Sequence, residues 1–343
     1  MSRFARGVTL ALVLAACQTA APTATPSAAS AGIVYGVAGL VRPHAPNSTA
    51  ADAEAMYRSF AETGGALGVY TNWADRADTE GKVPAVVPAA FAAAKQYSFG
   101  PLVIALGVAA DAGGTGVKST IDWSSTQRER FLATVTQVAR DHRPRFLALG
   151  VETNRLWLSD RTSFDGFVRG YADAYDAVKK VSPDTKVFTI FQLELMRGHA
   201  TRMTGRDDEP QWDLLERFAG RLDLLGLTTY PFLEYQRPSD LPEDYYSDAA
   251  RRLRAPVAFT EIGWPSARPA SAVAAYDASP DDQAEFVARF FALTAGMRPA
   301  IALWSFPFEL GVPSSLFDSV GIRRTDGAAK PALAAWQRGI RTK

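Results

Sequence analysis

The chain has 343 residues, of which 47% are hydrophobic, and its formal net charge is +1 at pH 7. This length and apolar fraction suit one large globular domain with a sizeable core. The near-neutral charge, without runs of Lys and Arg, argues against nucleic acid as a partner, because binding to phosphates needs clustered positive charge. The single cysteine excludes both a disulfide framework and a Cys-His catalytic pair.

The N-terminal segment predicts export. Arg3 and Arg6 precede a short apolar run that ends at Leu14, which is the layout of a signal peptide. The run is too short to remain as a membrane anchor, because a spanning helix needs roughly 20 apolar residues. The sequence Leu-Ala-Ala-Cys that ends at Cys17 resembles a bacterial lipobox, which implies removal of residues 1–16 and acylation of the Cys17 sulfur. An ordinary signal peptide with an incidental cysteine is the alternative interpretation.

Residues 17–31 consist mainly of Ala, Thr, Pro and Ser and carry no charge, so they predict a flexible tether. The folded domain is then expected at residues 32–343. These features together predict a lipid-anchored monomer at the bacterial cell envelope, facing the periplasm or the exterior. In a bacterium with two membranes, Gln18 after the cysteine favours the outer one.

Eight short apolar runs predict strands, and every interval between them is long enough for a helix. The runs are Ile33–Val37, Ala66–Tyr70, Leu102–Gly107, Phe146–Val151, Lys186–Phe191, Leu224–Thr229, Val257–Glu261 and Ala300–Phe306. The apolar spacing between them is helical and is clearest in Ser124–Asp141, Phe164–Val181 and Asp281–Met297. Eight such repeats predict the α/β class and a (β/α)8 TIM barrel. An open doubly wound sheet is the alternative, but Gly114-Thr-Gly116 lacks the third glycine of a dinucleotide-binding turn.

A barrel of this kind places its chemistry at the carboxyl ends of the strands. Polar and aromatic residues stand at those positions in this chain. They are Arg42, His44, Asn72, Trp73, Asp75, Asp111, Glu152, Asn154, Gln192, Glu194, Tyr230, Glu261, Trp264, Trp304 and Glu309. Glu152 and Glu261 are the strongest candidates, because a carboxylate that ends an apolar strand is costly to bury without a purpose. Two carboxyl groups are also what cleavage of a glycosidic bond requires.

The residues around these two carboxylates resemble a known clan. Val257-Ala-Phe-Thr-Glu-Ile-Gly-Trp-Pro-Ser266 is similar to the nucleophile strand of retaining (β/α)8 glycosidases, in particular the β-1,3-glucanase and β-1,4-galactanase families. The resemblance implies that Glu261 is the nucleophile. The segment Asp223–Phe232 resembles the sixth strand of the clan, which implies that Tyr230 donates a hydrogen bond to the nucleophile. The segment Phe146–Glu152 resembles the fourth strand and implies that Glu152 is the acid/base.

The resemblance also suggests a sugar-binding surface. Trp304 matches the tryptophan that forms a floor under the sugar, and four more residues are expected to contact substrate, namely His44, Asn72, Trp73 and Trp264. One departure is clear, because Val151 stands where the clan has an asparagine that binds a sugar hydroxyl. We expect Asn154, two residues past Glu152, to turn its amide toward the sugar instead.

These residues predict a retaining glycoside hydrolase that acts on a β-linked galactan or glucan. In this hypothesis Glu152 is kept protonated by apolar surroundings and by the second carboxylate. The competing interpretation of Glu152 is a structural ion pair with Arg155, and Val151 motivates a second functional hypothesis, a carbohydrate-binding or envelope-assembly lipoprotein with little or no catalysis. No histidine pair has metal-ligand spacing, so neither a metal nor another cofactor is expected.

Overall fold

The structure is a computed structural model. It describes residues 32–38, 49–73, 82–111, 117–199, 209–252, 255–268, 277–313 and 315–342. The predicted signal peptide and tether, together with Cys17 and His44, lie outside these residues. None of the helices in the described ranges is long and apolar enough to cross a membrane.

Eight parallel barrel strands form the centre of the molecule, as the sequence predicts. In chain order they are Val34–Ala38, Ala66–Asn72, Leu102–Gly107, Phe146–Leu149, the interrupted strand Lys186–Phe188 and Ile190–Gln192, then Leu225–Thr229, Val257–Ile262 and Ile301–Ser305. Neighbours in the sheet follow the order of the chain, and the first barrel strand pairs with the eighth. The (β/α)8 fold is therefore confirmed, and the open doubly wound sheet is excluded.

The barrel closes through its fifth strand, which is interrupted at Thr189. Its first half, Lys186–Phe188, pairs with the fourth strand, and its second half, Ile190–Gln192, pairs with the sixth. The two halves are the outermost members of a nine-stranded sheet, so the continuous chain joins the two edges.

Helices cover the outside of the barrel. They are Ala50–Ser59, Val86–Tyr97, Gln127–His142, Thr153–Ser159, Arg161–Val181, Leu193–Arg197, Ser247–Arg252, Pro280–Leu293 and Pro331–Arg341. Local chemistry sets several of their first turns. The Asp160 side chain accepts a hydrogen bond from the Ser163 backbone amide, and Ser279 does the same for Asp282. Proline at the first position of the helices that begin at Pro280 and Pro331 removes an amide that would have no partner there.

Side chains of the barrel strands alternate between two apolar layers. In the eighth strand, Ile301 and Leu303 belong to the small cluster in the barrel interior. Ala302 and Trp304 belong to the larger cluster between the barrel and its helices. This alternation follows from the two-residue period of a strand and determines which residues can face the barrel mouth.

Candidate active site

A β-bulge in the seventh barrel strand turns Glu261 toward the barrel interior. Ala258 faces the interior and Phe259 faces the helices, so a regular strand would direct Glu261 outward. In the pairing with the sixth strand, however, Phe259 lies opposite Leu227 and Glu261 lies opposite Thr228. The strand thus contains one additional residue, Thr260, and the alternation of inward and outward side chains shifts by one residue at that point. Glu261 is partly exposed at the barrel mouth.

The hydroxyl of Tyr230 donates a hydrogen bond to the Glu261 carboxyl, which is the contact that the resemblance implies. The same hydroxyl lies 2.9 Å from the Ser305 hydroxyl of the eighth strand. The Tyr230 ring fits because residue 263 is glycine, since a Cβ atom on Gly263 would lie 2.9 Å from the ring and 2.6 Å from Val320. Residues of the sixth, seventh and eighth barrel strands, or directly after them, therefore hold the Tyr230 hydroxyl against Glu261.

A second tyrosine, Tyr70, also reaches Glu261 and was not among the residues predicted for the site. Its hydroxyl donates a hydrogen bond to the Thr260 carbonyl at 2.9 Å and contacts the Glu261 carboxyl. A signal for it existed in the sequence. Tyr70 lies four residues after Ala66, which faces the barrel interior, and the two-residue period therefore directs Tyr70 inward as well.

The surroundings of Glu261 favour its protonated form. Burial raises the pKa of the Glu261 carboxyl to about 8, and the negative charge of Glu152 acts in the same direction. The hydrogen bond from Tyr230 and the nearby hydroxyl of Tyr70 oppose this rise because they stabilise the ionised carboxylate. The effect of the Glu152 charge also indicates that the two carboxyl groups interact electrostatically at the barrel mouth.

This pKa predicts a pH-dependent cost to stability. Between pH 4.5, the ordinary pKa of a glutamate carboxyl, and about pH 8, Glu261 keeps its proton in the folded protein and has lost it in the unfolded chain. The free energy of unfolding therefore falls as the pH rises through this range. Glu261→Gln should therefore be more stable than the wild type above pH 8, by an amount on the order of a few kcal/mol, and similar to it near pH 4. Urea unfolding at several pH values measures this difference. A difference that is independent of pH would contradict the raised pKa, and Glu129→Gln on an exposed helix face is the control.

Glu152 lies three residues after the fourth barrel strand, directly before the helix Thr153–Ser159, and has a left-handed backbone conformation with φ 47°. Its carboxyl accepts hydrogen bonds from the Arg155 guanidinium at 3.1 Å and from the Thr228 hydroxyl at 2.8 Å. The expected apolar surroundings of Glu152 are therefore absent, and the ion pair with Arg155 that the sequence offered as the alternative is present. The strained backbone fits a functional position, because such conformations concentrate at active sites.

Asn154 is not directed toward the barrel mouth. Its side chain is fully buried, with its amide nitrogen donating to the Gln192 carbonyl and its oxygen accepting from the Gln192 amide, both at 2.9 Å. The predicted compensation for Val151 is therefore contradicted, because both polar groups of Asn154 already join the helix Thr153–Ser159 to the end of the fifth strand. Val151 itself is partly buried and packs against the interior cluster of the barrel.

The structure also contradicts the predicted substrate contacts of three tryptophans. Trp304 is fully buried and points outward, with its ring 5.9 Å from that of Trp336 and its indole N–H donating to the Val320 carbonyl. Trp264 is buried in the same outer layer and donates to the Asp277 carbonyl. Trp73 is 1% exposed and donates to the Thr134 hydroxyl. These rings anchor helices and loops to the barrel instead of lining its mouth.

Of the other predicted residues, Asn72 is exposed at the end of the second strand, where its side chain lies beside Gly107 of the third strand. Glu309 follows the eighth strand and pairs with the buried Lys330 at 2.8 Å, so it holds the C-terminal segment in place. Among the described residues, no group of three or more His, Cys, Asp or Glu side chains is arranged to hold a metal ion.

No protein-family model and no curated protein matches the chain. Among solved structures, it is similar to a glucosidase from Croceicoccus marinus, with a TM-score of 0.62 and 15% identity over 91% of this chain and 68% of that one. A GH53 catalytic domain from Ignisphaera aggregans gives a TM-score of 0.61 and 15% identity, with 90% of this chain and 96% of that one covered. A family 39 glycoside hydrolase from the gut symbiont Bacteroides cellulosilyticus WH2 gives 0.59 and 17%, with 88% and 62% covered. At these identities the likeness shows the fold, which is the (β/α)8 barrel of these glycoside hydrolases.

Proposed function

We propose that the protein is a retaining glycoside hydrolase that acts on a β-linked polysaccharide of the galactan or glucan type. The observation that carries the proposal is the geometry of Glu261. A β-bulge turns its carboxyl group into the barrel mouth, where it lies near two tyrosine hydroxyls and the charge of Glu152. A pair of coupled carboxyl groups in a barrel mouth suits the cleavage of glycosidic bonds. The similar solved structures, which include a named glucosidase and other glycoside hydrolases, support the same assignment.

The proposed reaction has two steps. The ionised Glu261 carboxylate attacks the anomeric carbon and forms a glycosyl ester, while Glu152 transfers its proton to the departing oxygen. Glu152 then takes a proton from water, and the resulting hydroxide releases the sugar and restores Glu261. Because burial favours the protonated form of Glu261 in the free protein, the proposed reaction requires that substrate binding leaves Glu261 ionised and separates Glu152 from Arg155.

The proposed mechanism predicts an alkaline limb in the pH profile. The carboxyl pair must hold one proton to act, whichever of its members carries that proton before substrate binds. Glu261 loses its proton at its raised pKa, about 8, so kcat/KM should fall as the pH rises through that value. Initial rates between pH 5 and pH 10 measure the limb. Activity that stays constant to pH 10 would contradict the role of the pair.

The function itself is tested by a substrate screen. The purified chain is incubated with β-1,3-glucan, β-1,4-galactan and arabinogalactan, and released reducing sugar is measured. Proton NMR of the first product then gives its anomeric configuration, which is retained in a double displacement. Release of the inverted anomer would replace the retaining mechanism with a single displacement, and no release from any substrate would contradict the proposal.

A second function is supported by specific observations. Val151 offers no hydrogen bond, Asn154 is fully engaged by Gln192, and Glu152 is held by Arg155. These contacts would suit a carbohydrate-binding or envelope-assembly protein with weak or no catalysis. Calorimetry with the same polysaccharides separates the two functions, because binding without release of sugar favours this alternative.

We also propose that Cys17 carries a lipid that attaches the protein to the bacterial cell envelope. The proposal is supported by the lipobox-like sequence and by the lack of any second cysteine. Cell fractionation of a Cys17→Ser variant tests it, since the variant should leave the membrane fraction, and unchanged membrane association would contradict the anchor.

A further inference from the structure

Glu194 is a buried carboxylate beside the candidate active site that the proposed reaction does not use. It is the second residue of the helix Leu193–Arg197, immediately after the fifth barrel strand, and its side chain has 0% exposure. Burial of a carboxyl group is costly unless hydrogen bonds compensate for the lost water. The contacts of Glu194 therefore identify what the buried group stabilises.

Its hydrogen-bond donors in the described part of the chain are neutral groups. One oxygen of Glu194 accepts from the Tyr230 backbone amide at 3.0 Å, from the Thr229 hydroxyl at 2.9 Å and from the Tyr245 hydroxyl at 2.8 Å. The other oxygen accepts from the Gln192 side-chain amide. Two of these four donors belong to consecutive residues at the end of the sixth barrel strand.

The Tyr230 backbone amide needs such an acceptor because the strand pairing ends before it. The sixth strand ends at Thr229, whose carbonyl accepts from the Gly263 amide, and Pro231 begins a short turn directly after Tyr230. Glu194 supplies the acceptor that the neighbouring strand does not provide. The position of the Tyr230 backbone thus depends on this carboxyl group.

We propose that Glu194 is a positioning residue for Glu261, which fixes the Tyr230 backbone from one side so that the Tyr230 hydroxyl is held against the Glu261 carboxyl on the other. The link runs from the helix after the fifth barrel strand, through the end of the sixth strand, to the seventh strand. Where catalysis is concerned, this inference rests on the proposed function. The effect on the protonation of Glu261 does not depend on it.

In the described ranges, the charged groups near Glu194 are Glu234 and Arg197, which pair with each other at 3.4 Å. The Arg197 guanidinium also lies 4.5 Å from the centre of the Tyr245 ring. Burial raises the pKa of Glu194 to about 7, with the charge of Glu234 adding to the rise and the Tyr245 and Thr229 hydroxyls opposing it. Two linked carboxyl groups thus have raised pKa values close to neutral pH.

The test measures the titration of Glu261 in a double-mutant cycle. Carbon-13 NMR of labelled glutamate carboxyls in the full chain follows Glu261, and its signal is assigned from its loss in Glu261→Gln. Tyr230→Phe should raise the pKa of Glu261 by about one pKa unit, because a hydrogen bond to the ionised form is lost. Glu194→Gln should raise it in the same direction by a smaller amount, and should add nothing in the Tyr230→Phe background.

Glu194→Asp, which keeps the charge but withdraws the carboxyl by one methylene, gives the same expectation if Glu194→Gln does not fold. Tyr245→Phe is the matched control, because it removes a donor to Glu194 without touching Tyr230, and it should leave the titration of Glu261 nearly unchanged. An unchanged Glu261 pKa in both Glu194 variants, or an equal rise in the Tyr230→Phe background, overturns the proposal.

If the chain hydrolyses a polysaccharide, Glu194→Gln should lower kcat with little change in KM. If it hydrolyses none, the NMR result still decides the positioning role.

Discussion

Glu261→Ala should lower kcat/KM on the best polysaccharide substrate by a factor on the order of 10⁴, which corresponds to ~5.5 kcal/mol of transition-state stabilisation. The variant has no carboxylate that can attack the anomeric carbon. Because the side chain is only partly buried and its ionisation opposes folding near pH 8, the variant should remain folded. Initial rates and a circular dichroism spectrum of the same preparation measure both expectations.

Glu152→Ala provides the contrast to this variant. A sugar with an acidic phenol as leaving group needs no proton from the enzyme when its glycosidic bond breaks. Glu152→Ala should therefore keep most of its rate of glycosyl-enzyme formation on that substrate, and should lose this rate on the polysaccharide. Glu261→Ala should lose activity on both substrates. Glu129→Ala, on an exposed helix face, controls for the loss of a glutamate, and equal behaviour of the Glu152 and Glu261 variants on the phenolic substrate would contradict their separate roles.

Trp304→Ala should destabilise the fold by about 3–5 kcal/mol, because removal of a buried aromatic side chain loses apolar contacts and leaves a cavity. Trp304 packs against Trp336 and Phe286 and donates a hydrogen bond to the Val320 carbonyl. Its removal therefore loosens the last helix from the barrel. Urea unfolding of the variant and the wild type measures the loss.

Trp304→Phe separates packing from sugar binding. It keeps an aromatic ring in the outer layer, so it should recover more than half of the stability lost in Trp304→Ala. In both variants KM should stay close to that of the wild type at a temperature where they are folded, because the ring does not reach the barrel mouth. A large rise in KM without loss of stability would restore the role of Trp304 as a sugar floor.

The fold could be predicted from the sequence because its signals are local and repeated. Apolar runs such as Leu102–Gly107 have the length of a strand, and segments such as Phe164–Val181 have helical spacing, so the order of elements follows directly. The ends of the strands then indicate where a barrel places its polar residues. Glu152, Tyr230 and Glu261 stand at such positions, and the hydrogen bond that the resemblance implies between Tyr230 and Glu261 is present.

The direction of individual side chains was harder to predict. Trp304 follows the inward Leu303, so the two-residue period directs it outward, although its place at a strand end favoured the barrel mouth. The same period applied to Glu261 gives the wrong direction, because only the pairing of Phe259 with Leu227 reveals the bulge. The sequence carries no signal for the buried position of Asn154, because its partner, Gln192, is distant in sequence and adjacent only in the folded barrel.

The extra residue in the seventh strand has a consequence for protein engineering. Transfer of Glu261 and its tyrosines to another (β/α)8 scaffold by substitution would place the carboxylate among the outer helices unless the recipient strand is also lengthened by one residue. The direction of Glu261 depends on the presence of one extra residue, Thr260, between Phe259 and Glu261, and not on the identity of that residue's side chain. Substitution libraries keep the number of residues constant, so insertions and deletions are the changes that would vary it.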